Sequence, residues 1–253
     1  MLLTQYRNTL ACVKEGFTKE KRQEERRSHL PDHIVYRPLS FWITPLFLNL
    51  GFSANAVTVF SMLVALSMPV TARLGGVYAY GMVAVLGVFF QILDCVDGNI
   101  ARMLKTSGRV GEMLDRMSTI LLWTAYFISV GILSDEASGG FPARHGFEIG
   151  LGLAVLHLIH ETLEDMLNRY LGESVTWTPP TSPSIQSRFP GFDWGKMGSL
   201  VEQGYAFGVI IPAGMWGRLD LFLLILAAYQ VLLLTLWLYR FIRAIVSHIA
   251  SSE

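Results

Sequence analysis

Apolar residues come in long blocks along this chain. Six runs, at about 54–73, 77–104, 110–134, 147–170, 197–216 and 219–246, are each long enough to cross the hydrocarbon of a bilayer as a helix, which takes roughly 20 residues. Polar breaks separate them. "LGG" (Leu74–Gly76) predicts a tight turn between the first two runs, and "KTSGR" (Lys105–Arg109) a short turn that makes the second and third antiparallel neighbours. The first run opens on "SANAVT", where Ser53 or Asn55 can cap a helix. Ahead of it, "RPLSFWITPLFLNLGF" (Arg37–Phe52) is apolar and aromatic, interrupted by Pro38 and Pro45 and too short to cross, so it predicts a helix lying in the interface. The longest break, 172–196, is rich in Pro and Ser and reads as a lid or an unstructured connection. Trp216, Trp237 and Tyr239 read as anchors at the membrane surface. The expected fold class is all-α, a polytopic integral membrane protein. Six transmembrane helices follow an interfacial amphipathic helix (37–52), all within one membrane domain (37–250), after a polar cytoplasmic segment (1–36).

Composition sharpens this picture. The chain of 253 residues is 52% hydrophobic and 16% charged, whereas soluble domains carry about a quarter charged residues. Its formal net charge is zero, so no bulk attraction to nucleic acid follows. With the N-terminus in the cytoplasm, the outside loops hold only Arg73, Arg144 and Arg218, while the inside segments hold the basic N-terminus, Lys105, Arg109, Arg169, Arg188, Lys196, Arg240 and Arg243. That asymmetry predicts both termini inside. The first thirty residues are too charged to contain the apolar core of a signal peptide. Cys12 and Cys95 both fall on the cytoplasmic side, so no disulfide framework is implied.

Against this apolar background stands "DCVDGNIARMLKTSGRVGEMLDRMST", from Asp94 to Thr119. At 3.6 residues per turn, Asp94, Asp97, Gly98 and Ala101 share one stripe, with Arg102 a turn beyond Gly98. Gly108 and Gly111 precede Asp115 on the next helix. Three carboxylates at a membrane mouth repel one another unless a hard divalent cation neutralises them, and oxygen donors suit Mg²⁺, Mn²⁺ or Ca²⁺. Small residues let a phosphate or sugar approach the backbone, and Arg102 can make a forked phosphate contact. A proton or cation path is the competing reading, but such a path crosses the membrane, whereas these acids gather toward one face.

At these residues the chain resembles the CDP-alcohol phosphotransferases, whose signature is D-x2-D-G-x2-A-R-x8-G-x3-D-x3-D. Asp94, Asp97, Gly98, Ala101, Arg102, Gly111 and Asp115 match with the spacing intact, and Asn55 and Thr58 match the family's Asn-x2-Thr opening of the first span. The resemblance implies transfer of a phosphatidyl or other phospho-alcohol group from a CDP-linked alcohol, such as CDP-diacylglycerol, to an acceptor hydroxyl, with release of CMP in lipid biosynthesis. It implies Mg²⁺ or Mn²⁺ on Asp94, Asp97 and Asp115, and a nucleotide pocket of Thr58, Gly98, Ala101, Arg102 and Gly111. A homodimer in a bacterial or archaeal cytoplasmic membrane is also implied, with the site on the cytoplasmic side. The final Asp of the signature, usually assigned as the base, falls on Thr119, and a hydroxyl is no base near neutral pH. Glu112, seven residues earlier, lies about 10 Å from that position along the helix axis, so it is a poor replacement. Three explanations stay open: another helix supplies the base, the metal alone activates the hydroxyl, or this is a catalytically silent relative that binds CDP-lipid.

The fourth run offers a second polar stripe, His157, His160, Glu161, Glu164 and Asp165. Glu164, Asp165 and Arg169 can mark the cytoplasmic end of the span. His160, Glu161 and Arg169 are the candidates for an acceptor pocket, with His160 or Glu161 as the replacement base. Arg169, Arg188 and Lys196 can alternatively clamp an acceptor phosphate, and the His pair also carries the spacing of a second metal site.

Overall fold

In the computed structural model, residues 2–19, 31–106, 108–137, 145–171 and 205–252 are described. The run 172–204, with Arg188 and Lys196, lies outside them, as does the first part of the 197–216 run. Helices are the only regular elements among the described residues. They are α1 (Leu2–Glu15), α2 (Arg37–Asn49) after a single wide turn at Asp32–Tyr36, α3 (Ala54–Leu74), α4 (Ala79–Leu104), α5 (Arg109–Ala137), α6 (Gly146–Leu171), α7 (Ala206–Met215) and α8 (Leu219–Ser252).

Four of these are long and apolar enough to cross a membrane: Ala54–Leu74, Gly76–Leu104, Arg109–Glu136 and Leu219–Tyr239. They correspond to the first, second, third and sixth apolar runs. α6 has the length but carries ionisable groups along its second half, and the described part of the fifth run is the ten-residue α7.

Local chemistry explains the boundaries. Gly51, at φ 78°, turns the chain out of α2. Ser53 then caps α3, its Oγ accepting the Ala56 N–H at 3.2 Å. α4 stops at Lys105, which adopts a left-handed conformation (φ 52°), and the Thr106 N–H closes the end on the Ala101 carbonyl at 3.0 Å. At the opposite end of the bundle, the Asp135 carboxylate accepts the Gly146 and Phe147 N–H groups at 2.6 and 2.9 Å, so α5 caps the start of α6.

α2 is built inside out. Arg37, Ser40 and Thr44, at helical spacing, are buried against the bundle, while Leu39, Trp42 and Leu46 face outward. Such a helix suits an apolar exterior, as expected of one lying in lipid. Tyr36, at its start, is buried, and burial together with the Asp32 carboxylate pushes its phenol up to about 12.

The short 105–109 connection joins α4 and α5, and α3 packs against both of them, far more extensively than those two pack on each other. α7 is fixed by Phe207, whose ring stacks on Trp123 at 5.5 Å and enters the space over Gly87. The Tyr126 hydroxyl donates to the Ala206 carbonyl at 2.7 Å. Trp237 is buried against His160 rather than placed at a surface, which corrects its reading as an anchor. Trp216 and Tyr239 are exposed.

Candidate functional site

The acids of α4 and α5 do meet. One carboxylate oxygen from each of Asp94, Asp97 and Asp115 lies within 4.8 Å of the others. They line a cavity of about 320 Å³. Asp97 is buried at its base, Asp94 is half-buried, and Asp115 is exposed. α3 completes the wall, since the Thr58 hydroxyl donates to Asp97 Oδ2 at 2.5 Å and orients that carboxylate. All the residues expected to bind nucleotide, Thr58, Gly98, Ala101, Arg102 and Gly111, line the same cavity. The Arg102 guanidinium lies over Gly98, where an added Cβ would sit 3.4 Å from both Nη atoms, and Gly111 faces Asn55 Oδ1.

The cavity wall also includes Arg37 and Glu112, which the sequence pattern did not place there. Arg37, from α2, reaches the cavity wall and is buried. Its Nη1 donates to the Cys95 carbonyl at 3.0 Å and to Asn99 Oδ1 at 3.1 Å. Asn99 is the hub. Its Oδ1 also accepts from Arg102 Nη2 at 2.9 Å, and its Nδ2 donates to Ser40 Oγ at 3.1 Å and Thr44 Oγ1 at 3.0 Å. Both lone pairs and both protons of the amide are thus used. The signal was present in the sequence, as polar residues at 37, 40 and 44 along an otherwise apolar helix. Replacing Arg37 with Met removes a buried, charge-assisted pair of hydrogen bonds. The expected loss is about 1.5–3 kcal/mol, read as an earlier thermal unfolding transition in detergent. Arg37→Lys should recover only part of it, because an ammonium lacks the planar fork.

Glu112 lines the cavity as well. The lining then sets four carboxyl groups (Asp94, Asp97, Glu112, Asp115) against two guanidinium groups (Arg37, Arg102), a surplus of acids. That surplus and the all-oxygen donor set fit a hard divalent cation. Thr119 is exposed, and its hydroxyl donates to the carbonyl of Asp115 on its own helix at 3.2 Å.

His160 and Glu161 are not part of this cavity lining. They form a second cluster with His157 on α6, where Arg116 Nη2 of α5 meets Glu161 Oε2 at 3.3 Å. The side chain of Arg169 lies outside what the structure describes.

A cavity lined by carboxylates, with guanidinium groups on its wall, thus lies among membrane-length helices. The comparison with known families makes the class specific. Residues 52–156 match the family model described as CDP-alcohol phosphatidyltransferase. The family transfers a phospho-alcohol group from a CDP-alcohol in lipid synthesis and is generally dependent on a divalent metal. No curated protein matches the sequence.

Proposed function

We propose that this protein transfers a phosphatidyl or related phospho-alcohol group from a CDP-alcohol to an acceptor hydroxyl, releasing CMP. The observation that carries this reading is the convergence of every matched signature residue, from Asp94 to Asp115, on one cavity together with Thr58 of α3. We read residues 37–250 as a homodimeric six-span domain, with the site and both termini on the cytoplasmic side.

In this reading Asp94, Asp97 and Asp115 hold Mg²⁺ or Mn²⁺, which when bound supplies charge neutralisation and polarisation of the diphosphate. Gly98, Ala101 and Gly111 leave room for the nucleotide against the helix backbones, and Arg102 binds its phosphate oxygens. The acceptor oxygen forms a bond to the phosphorus bearing the alcohol, the bridging P–O bond breaks, and CMP leaves with that oxygen. The acceptor proton must pass to a base. Glu112 is the carboxylate that lines the cavity outside the triad, and we assign it that role. His160, Glu161 and Arg169 remain the alternative set for the acceptor side, on α6. Thr119 favours a second reading, a silent relative that binds CDP-lipid without turnover.

Incubation with CDP-diacylglycerol, divalent metal and a panel of acceptors (serine, glycerol phosphate, inositol, inositol phosphate and lipid alcohols) tests the assignment, with CMP as readout. CMP release with at least one acceptor is expected. It should fall roughly 10²–10⁴-fold in Glu112→Gln, the range for a lost general base, and stay near the parent value in Thr119→Val. Nucleotide binding without CMP across the panel identifies the silent relative. A full rate in Glu112→Gln, with loss in His160→Ala or Glu161→Gln, moves the base to α6.

A further inference from the structure

α6 places a different donor set together. His157, His160 and Glu161 share one face of the helix. A ring nitrogen of each imidazole and a carboxylate oxygen of Glu161 lie within 4.8 Å of one another. Both histidines are deeply enclosed, with 5% and 3% of their surface exposed. The Nε2 atom of each has no hydrogen-bond partner among the described residues. Their ring contacts do not supply one. His157 meets Phe127 of α5 edge-on at 5.8 Å between centroids, and His160 lies tilted against Trp237 of α8 at 5.3 Å. These contacts wedge both imidazoles between neighbouring helices while two enclosed ring nitrogens stay unmatched, an arrangement native proteins avoid without a reason.

The chemistry of the set points to its occupant. Two imidazoles and one carboxylate are ligands for zinc and its transition-metal neighbours, not for Mg²⁺, which takes oxygen. Three protein ligands leave the fourth tetrahedral position open to water or a small ligand. Arg116 presses against the carboxylate from the more exposed side, with Nη2 3.3 Å from Glu161 Oε2. The same Nη2 also reaches the Glu161 carbonyl at 3.5 Å, and the Arg116 side chain is 41% exposed, so it has room to yield. None of the three ligands lines the cavity of the aspartates. We propose that His157, His160 and Glu161 bind a zinc-type transition-metal ion at a centre separate from the aspartate triad.

The test uses the full-length protein without an affinity tag, in detergent, exposed to Zn²⁺ in the presence of excess Mg²⁺, desalted and assayed by plasma mass spectrometry. About one zinc per chain should be retained. The amount should drop close to zero in His157→Ala/His160→Ala and be unchanged in Asp97→Asn. Cobalt in place of zinc should give the intense visible bands of a tetrahedral site in the parent protein. Equal zinc in the parent and the double variant, or none in the parent, overturns the proposal. Should the double variant fail to fold, the parent's cobalt spectrum decides alone, and weak octahedral bands overturn it as well.

Discussion

Asp97→Asn is expected to lower CMP release by roughly 10²–10³-fold, the scale on which removing one pre-organised electrostatic partner slows a reaction. Asp97 is the most enclosed of the three acids and accepts the Thr58 hydroxyl at its Oδ2. The substitution keeps the shape and a hydrogen-bond acceptor but removes the charge that a divalent ion needs. Two controls separate chemistry from folding. The thermal unfolding temperature in detergent should change little, because burying a neutral amide is easier than burying a carboxylate. Titration with Mn²⁺ should show weaker metal dependence in the variant. A variant that releases CMP at the parent rate would remove the triad from the reaction altogether.

The second large effect falls on packing. Gly150 of α6 lies against the backbone of α5, where an added Cβ would sit 2.5 Å from the Phe127 carbonyl oxygen and 3.1 Å from the Gly131 Cα. Gly131 in turn would place a Cβ 2.4 Å from the Gly146 carbonyl oxygen. No flexible side chain can move aside there, since the obstacles are main-chain atoms. Helices that approach this closely do so only through small residues. Gly150→Val should therefore prise α6 from α5 and cost about 1–3 kcal/mol or more, seen as a lower unfolding temperature and a smaller folded fraction on size exclusion. Gly152, two residues on, has nothing within 4 Å of its would-be Cβ, so Gly152→Val should leave both measurements nearly unchanged. Equal behaviour of the two variants would mean that the close approach of α5 and α6 does not exist.

Local chemistry made the centre of the site readable in advance. Asp94, Asp97, Gly98, Ala101 and Arg102 belong to one stripe of a single helix, so their mutual placement follows from helical period alone. Asp115 needed only a short turn. The four membrane-length helices were equally legible, because length and apolarity decide them. What escaped depends on tertiary packing. Nothing along the chain says that α3 packs along both α4 and α5. The spacing of Arg37 to Ser40 and Thr44 marks a polar seam that faces protein rather than water, but its partner Asn99 on α4 follows only from packing. Glu112 is about two turns from position 119, yet the packing of α5 puts it on the cavity wall. Trp237 shows the reverse error, since an aromatic near a span's end packs as readily on a histidine as on lipid headgroups.

The seam between α2 and α4 bears on where a minimal unit can be cut. Homology begins at residue 52, three residues beyond the last residue of α2. A chain trimmed at that boundary would keep every acid yet lose one side of the chamber. Asn99 would be stripped of Ser40, Thr44 and Arg37 together, and only Arg102 would still hold it. The smallest autonomous piece must therefore start upstream of the recognisable family segment, at or before Arg37.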